Sequence, residues 1–167
     1  MNKNGNLIII RGPMGSGKTT VSEKLSQKFK IPYFEADQYF FLTEGKYNWT
    51  PEKSELAHKW CLESVSEAIK EGQNVIVANT FINEEYLIPY FKLGHPVKIV
   101  DMHGKYQNVH NVSKETVEAA WKKYKPLSQE FLDSCHKKYE IKIEVKSLNQ
   151  IESFLVSRSK EDLSFVR

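Results

Sequence analysis

The 167-residue chain carries 24 Lys and Arg against 21 Asp and Glu, a formal net charge of +3, with 40% hydrophobic residues and a mean hydropathy of -0.51. That length fits one compact domain with a real core, and the charge permits a polyanionic partner without demanding one. The apolar run Leu7 to Ile10 is too short for a signal peptide or a membrane span, and Cys61 and Cys135 stand far apart outside any CxxC pair, which argues for a reduced, cytoplasmic protein with no membrane segment, no disulfide scaffold and no zinc site.

In chain order, short apolar runs alternate with amphipathic stretches, the pattern of a three-layer α/β domain with about five parallel strands and helices on both faces. Leu7 to Ile10 reads as a strand buried on both sides. After a glycine-rich loop, a helix over about Lys18 to Lys28 presents Val21, Leu25 and Phe29 as one stripe. Tyr33 to Glu35 reads as a second strand. Thr50-Pro51, an N-cap followed by proline, opens a long helix that runs to Glu71 before Gly72, with Cys61, Val65 and Ile69 on its inner side and Leu56 and Trp60 beside them. Asn74 to Ala78 and Val97 to Met102 are further strands, separated by a short helix over Asn83 to Leu93 that Pro89 disturbs. Helices over Ser113 to Tyr124 and Leu127 to Tyr139, a strand over Ile141 to Val145 and a helix over Asn149 to Val156 complete a single domain spanning residues 1–167. Lys122, Lys123, Lys125, Lys137 and Lys138 form a basic cluster that reads either as a solvated helix face or as a nucleic acid contact.

The chemistry is concentrated in "LIIIRGPMGSGKTT", Leu7 to Thr20, where Gly12 is followed after four residues by Gly17-Lys18-Thr19. Strand, glycine-rich loop and helix in that order form a phosphate cradle. Gly12, Gly15 and Gly17 give the backbone the freedom to turn N–H groups inward, and the helix beginning at Lys18 adds its positive end. Gly12, Met14, Gly15, Ser16, Gly17, Lys18, Thr19 and Thr20 are therefore the expected ATP-binding set, with Lys18 bridging the β- and γ-phosphates and the Thr19 hydroxyl ligating Mg²⁺. No Asn-Lys-x-Asp motif of a switch GTPase is present, and a motor or helicase needs a longer chain. An acidic residue, Asp37, stands just beyond the second strand, at the sheet edge where open parallel sheets bind ligands. It is the candidate base for an acceptor hydroxyl; the other reading is a loop or helix-capping aspartate.

From Leu7 to Tyr124 the chain resembles the P-loop kinase domain of bacteriophage-type polynucleotide 5′-hydroxyl kinases, and still more their small single-domain relatives. The matching pieces are "RGPMGSGKTT", "FEADQYF", "YNWTPEKSELAHKWC", "NVIVANTF" and "VHNVSKETVEAAWKKY". The resemblance implies Asp37 as general base and a lid over about residues 103–113. It also implies a lid arginine that this chain lacks, leaving Lys105 and Lys114 as the cations, with His103 and His110 in the same segment. Where the family carries an aspartate at the end of the third strand, this chain reads Ala78-Asn79-Thr80-Phe81. Where the family places an arginine three residues after the base, Phe40 stands.

Phe40, Asn79, Thr80 and Phe81 are accordingly the expected acceptor side. With Tyr39, Phe41, Tyr47 and Trp49 they make it aromatic, suited to stacking a base, although core packing explains aromatic residues equally well. His58 reads either as a structural residue or as a substrate contact. The expected function is an ATP- and Mg²⁺-dependent kinase that phosphorylates a hydroxyl of a nucleoside or of a nucleic acid, at a 5′-hydroxyl or a hydroxymethylated base. The alternative is a nucleotide-binding regulator without transfer, favoured by Ala78 and the arginine-free lid.

Overall fold

In the computed structural model, the described residues are 5–102 and 113–165, with side chains described to residue 161. Five strands form one parallel sheet in the order β2-β3-β1-β4-β5: β1 Leu7–Arg11, β2 Tyr33–Phe34, β3 Val75–Asn79, β4 Val97–Asp101 and β5 Ile143–Val145. The helices are α1 Lys18–Phe29, α2 Gln38–Glu44, α3 Pro51–Lys70, α4 Ile88–Phe91, α5 Lys114–Lys123, α6 Gln129–Tyr139 and α7 Leu148–Phe165, with a 3₁₀ turn over Glu84–Leu87 before α4. The three-layer α/β architecture expected from the alternating pattern is the one observed.

Period-two alternation sorts the strand residues between the two helical layers. Leu7, Ile9, Val75, Val77, Val97 and Ile99 pack in one core with α3, α4 and α6. Ile8, Ile10, Ile76, Ala78 and Val100 pack in the other with α1 and α7. Both faces are covered, which is why the central strands read as continuous apolar runs. In register, Arg11 stands beside Asn79 on one side and Asp101 on the other, so the carboxyl ends of β1, β3 and β4 finish level. That common edge is where the chain turns from packing to chemistry.

Several boundaries differ from expectation. The buried stripe of α3 is Ala57, Cys61, Val65 and Ile69, one residue every four; Leu56, expected beside it, points outward. Helix α2 carries no clear periodicity in seven residues, and only Phe40 on it is buried, so the sequence pattern gave no sign of it. Helix α7 runs about nine residues beyond the expected Val156. Thr50 caps α3 as expected, accepting from the Lys53 amide at 3.2 Å. Both cysteines are free and buried. No described helix is long and apolar enough to cross a membrane.

Candidate active site

A cavity of about 520 Å³ opens at this sheet edge, lined on one side by the glycine-rich loop and the start of α1, and on the other by α2, α3 and the end of β3. The loop works for two separate reasons. Gly15 and Gly17 adopt φ of 74° and 92°, the left-handed region that favours glycine. Gly12 does not, which corrects the expectation for it. Gly12 is required by close approach instead: a Cβ there would lie 2.5 Å from Ser16 Oγ and 3.0 Å from Met102. Gly12 and Ser16 are buried beneath the loop as its frame, whereas Met14, Gly15, Gly17, Lys18, Thr19 and Thr20 line the cavity.

Gly17 stands at the N-cap of α1, and no side chain caps that end. The leading N–H groups of a helix left this way favour an anion. Lys18 Nζ donates to Pro13 O at 3.0 Å. Burial lowers its pKa to about 8, against the opposing pull of Glu35 and Asp37. A lysine so desolvated is primed for a strong negative partner.

Glu35 is the residue that sequence reasoning placed only as the end of a strand. Its side chain is 9% exposed, and its carboxylate accepts the Thr19 hydroxyl, at 2.9 Å to Oε2. Burial pushes its pKa up to about 7; the Thr19 hydrogen bond and Lys18 oppose this, while Asp37 adds to it. The signal available was Glu35 two residues before Asp37 in "FEADQYF", an acidic pair at a strand end. It matters because Ala78, at the end of β3, offers no carboxylate near Thr19. Glu35 offers one from the neighbouring strand, so an oxygen donor set fitting Mg²⁺, directly or through water, exists between Thr19 and Glu35.

Asp37 lines the cavity immediately before α2; burial raises the pKa of Tyr47 and the charge of Asp37 adds to it, while burial lowers that of His58 and Asp37 opposes the shift. It is at the N-cap position of α2 but makes no side-chain capping hydrogen bond, so capping does not explain it. Asn79 lines the cavity too, and its amide also braces the neighbouring segment. Its Oδ1 accepts from Ala36 N at 2.9 Å, and its Nδ2 donates to Cys61 Sγ at 3.6 Å. Asn79 therefore pins the Glu35-Ala36-Asp37 segment to β3 while still lining the cavity.

On the side expected to hold the acceptor, Phe40, Tyr47, Trp49, Ser54, Ala57, His58 and Thr80 line the cavity. Phe40 is 1% exposed and meets Tyr47 edge-to-face at 5.2 Å, so it forms the floor. Trp49 is 53% exposed at the mouth. His58 keeps an exposed face, and partial burial lowers its pKa. Phe81 is a correction. It does not line the cavity but is buried in the core against Tyr90, ring centroids 5.5 Å apart, with φ of 45°. The chain turns inward after Thr80, and the Phe81 carbonyl accepts from Arg11 Nε at 2.9 Å, which holds the residue there. Tyr39 packs against the core, Phe41 faces outward, and neither lines the cavity. Lys114 is exposed at the start of α5, away from the lining; Lys105, His103 and His110 lie outside the described residues. Lys122, Lys123, Lys125, Lys137 and Lys138 are all exposed and also stand outside the lining.

A phosphate loop at the carboxyl edge of a parallel β2-β3-β1-β4-β5 sheet, facing a second wall of side chains, is the architecture of a P-loop kinase. The chain belongs to the AAA_33 family, described as an AAA domain, whose model matches residues 7–125. A probable gluconokinase of Xenopus tropicalis is 32% identical over 85 residues, covering 48% of this chain and 45% of that protein; the match thus spans about half the length of the curated relative. Among solved structures, a gluconokinase from Sinorhizobium meliloti 1021 superposes with a TM-score of 0.56 at 17% identity, covering 99% of this chain and 98% of that one. A chain of the Pnkp1/Rnl/Hen1 RNA repair complex superposes with a TM-score of 0.59 at 17% identity, covering 85% of this chain and 48% of that one. At these identities the solved structures speak for the fold.

Proposed function

We propose that the protein is an ATP- and Mg²⁺-dependent phosphotransferase whose acceptor is an alcohol on a nucleoside or nucleic acid, akin to the polynucleotide 5′-hydroxyl kinases. The observation that supports transfer over mere binding is the joint presence of Lys18, Thr19, Glu35 and Asp37 on one cavity. Lys18 and the loop amides neutralise the phosphates, and Thr19 with Glu35 holds the metal or its waters. Asp37 orients the acceptor hydroxyl for in-line attack on the γ-phosphorus, and ADP leaves. The carboxylate missing at Ala78, which favours a regulator, is supplied in this reading by Glu35.

For the acceptor, the support is chemical. Around Asp37 the described lining offers Phe40, Tyr47 and Trp49, and beyond Lys18 it includes no Lys or Arg. Aromatic rings bind the π-face of a base, whereas the carboxylate of a small sugar acid held against Glu35 and Asp37 would need a cation. A hydroxyl-bearing base or nucleoside therefore suits the wall better than an anionic sugar acid.

The test is transfer from γ-labelled ATP with Mg²⁺ to nucleosides, nucleotides, 5′-hydroxyl RNA and DNA, hydroxymethylated-base DNA, gluconate and shikimate. Labelled nucleoside or nucleic acid, at a rate at least about 10²-fold lower in Asp37→Asn, is the expected result. Label on gluconate or shikimate alone would overturn the acceptor assignment while keeping the kinase. No transfer to any acceptor, with ATP still bound, would favour the regulator.

A further inference from the structure

A phosphate cradle imposes a demand on the carbonyls of its loop. In a planar trans peptide the C=O and N–H point in opposite directions. For successive N–H groups to converge on an anion, the carbonyls between them must point away and find donors elsewhere. Within this loop, Pro13 O is occupied by Ser16 N at 3.2 Å and Lys18 Nζ at 3.0 Å. Met14 O lies at the loop apex, and its donor comes from 107 residues away: Trp121 Nε1, on α5, at 3.0 Å. The Met14 carbonyl and the Gly15 N–H share one peptide plane, so holding the first outward aims the second the other way. Gly15 is also one of the two loop glycines with positive φ, so its backbone has freedom that something must restrain.

The helix that presents the indole is itself anchored to the base of the same loop. Arg11, the residue before Gly12, is 1% exposed. Its Nη2 donates to Lys125 O at 2.8 Å, just past the end of α5, and its guanidinium stacks on Tyr124 with 4.3 Å to the ring centroid. Its Nη1 pairs with Asp101 at 2.8 Å, and Asp101 also accepts the Tyr124 hydroxyl. Loop base, helix end, indole and loop apex thus form a closed mechanical circuit, with the helix end and Trp121 one turn apart.

We propose that Trp121 is a positioning residue for phosphate binding: its indole N–H fixes the Met14–Gly15 peptide plane, and the buried Arg11 cluster holds the helix that presents it. This rests on the reading of the loop as a nucleotide phosphate site. The substitution Trp121→Phe keeps an aromatic ring and removes the donor. The expected result is about fivefold weaker binding of both ATP and inorganic tripolyphosphate, the size of one net hydrogen bond. The kcat at saturating ATP and the acceptor KM should stay unchanged, and so should the thermal midpoint to within a few degrees.

Weakened ATP with unaltered tripolyphosphate would place the indole against base or ribose and overturn the proposal. Unaltered binding of both would overturn it too. Parallel loss of kcat, both affinities and stability would show a merely structural tryptophan. Should Trp121→Phe fold poorly, benzothienylalanine at the same position, isosteric but without the N–H, must reproduce the fivefold loss or the proposal falls. If the wild-type protein binds neither ATP nor tripolyphosphate, the loop reading fails and the brace fails with it.

Discussion

The two walls of the cavity are built from different materials. The donor wall, Met14 to Thr20, is mostly backbone: glycine conformation, helix N–H groups and one lysine. The acceptor wall, from Asp37 through Trp49 to His58 and Thr80, is mostly side chains, carried on a seven-residue helix, a loop and one face of α3. Backbone recognition is generic, because a triphosphate presents the same oxygens whatever it is attached to. Side-chain recognition is where one kinase parts from another. Changes on the donor wall should therefore abolish everything, and changes on the acceptor wall should alter selectivity.

Replacing Lys18 tests the first half of that contrast most harshly. Lys18→Ala removes the one cation the described residues place on the donor wall. The expected loss of transfer is at least about 10³-fold, the scale of charge stabilisation in such transition states, whatever acceptor is offered. A variant that still turned over one acceptor well would break the contrast. Asp37→Asn comes next. It keeps the shape and removes the proposed base, so kcat should fall roughly 10²- to 10⁴-fold while ATP affinity, read by titration, stays as it was. An equal fall in ATP affinity would move Asp37 from the acceptor wall to the donor wall.

The same division explains what was legible beforehand. The donor wall is a contiguous motif, Gly12 to Thr19, so spacing alone places it, and the strand before and helix after it followed from apolar runs and periodicity. The place of Asp37 on the cavity lining was expected because sheet edges bind ligands and the family resemblance pointed to it. Glu35 was overlooked, since its importance lies in a hydrogen bond to Thr19 sixteen residues earlier, which no local pattern encodes. Phe81 was misassigned for the converse reason. An aromatic beside Thr80 looks like a cavity residue until the buried guanidinium of Arg11, seventy residues before it, captures its carbonyl and turns the ring into the core.

Glu35 straddles the two walls, and its titration sharpens the comparison. Its carboxyl has a pKa of about 7 in the folded chain against 4.5 for the ordinary group. The native state therefore binds more protons than the unfolded state between those values. The contribution of this group to stability is fully present below about pH 4.5, falls as pH rises, and is lost above about pH 7. Glu35→Gln should thus leave the thermal midpoint little changed at pH 5 and raise it by a few degrees at pH 8. If the carboxylate organises Mg²⁺, the same variant should need roughly 10- to 100-fold more Mg²⁺ for half-maximal transfer. Stabilisation at pH 8 without a change in Mg²⁺ demand would leave Glu35 as a hydrogen-bond partner of Thr19 and nothing more.

The smallest expected effect is the one that discriminates best on the acceptor side. Trp49 stands 53% exposed on the cavity rim, so its large apolar face is not needed to complete the core. Phe40, by contrast, is fully packed, and replacing it would confuse folding with recognition. Stacking of a base on an aromatic ring is worth about 1–3 kcal/mol. Trp49→Ala should accordingly raise the acceptor KM roughly tenfold for a nucleoside or single-stranded nucleic acid, with ATP KM, kcat and thermal midpoint close to wild type. Trp49→Phe, which keeps a ring, should recover most of the loss. Equal KM values in all three proteins would remove stacking from the acceptor wall and leave His58, Ser54 and Thr80 to recognise a smaller, polar alcohol.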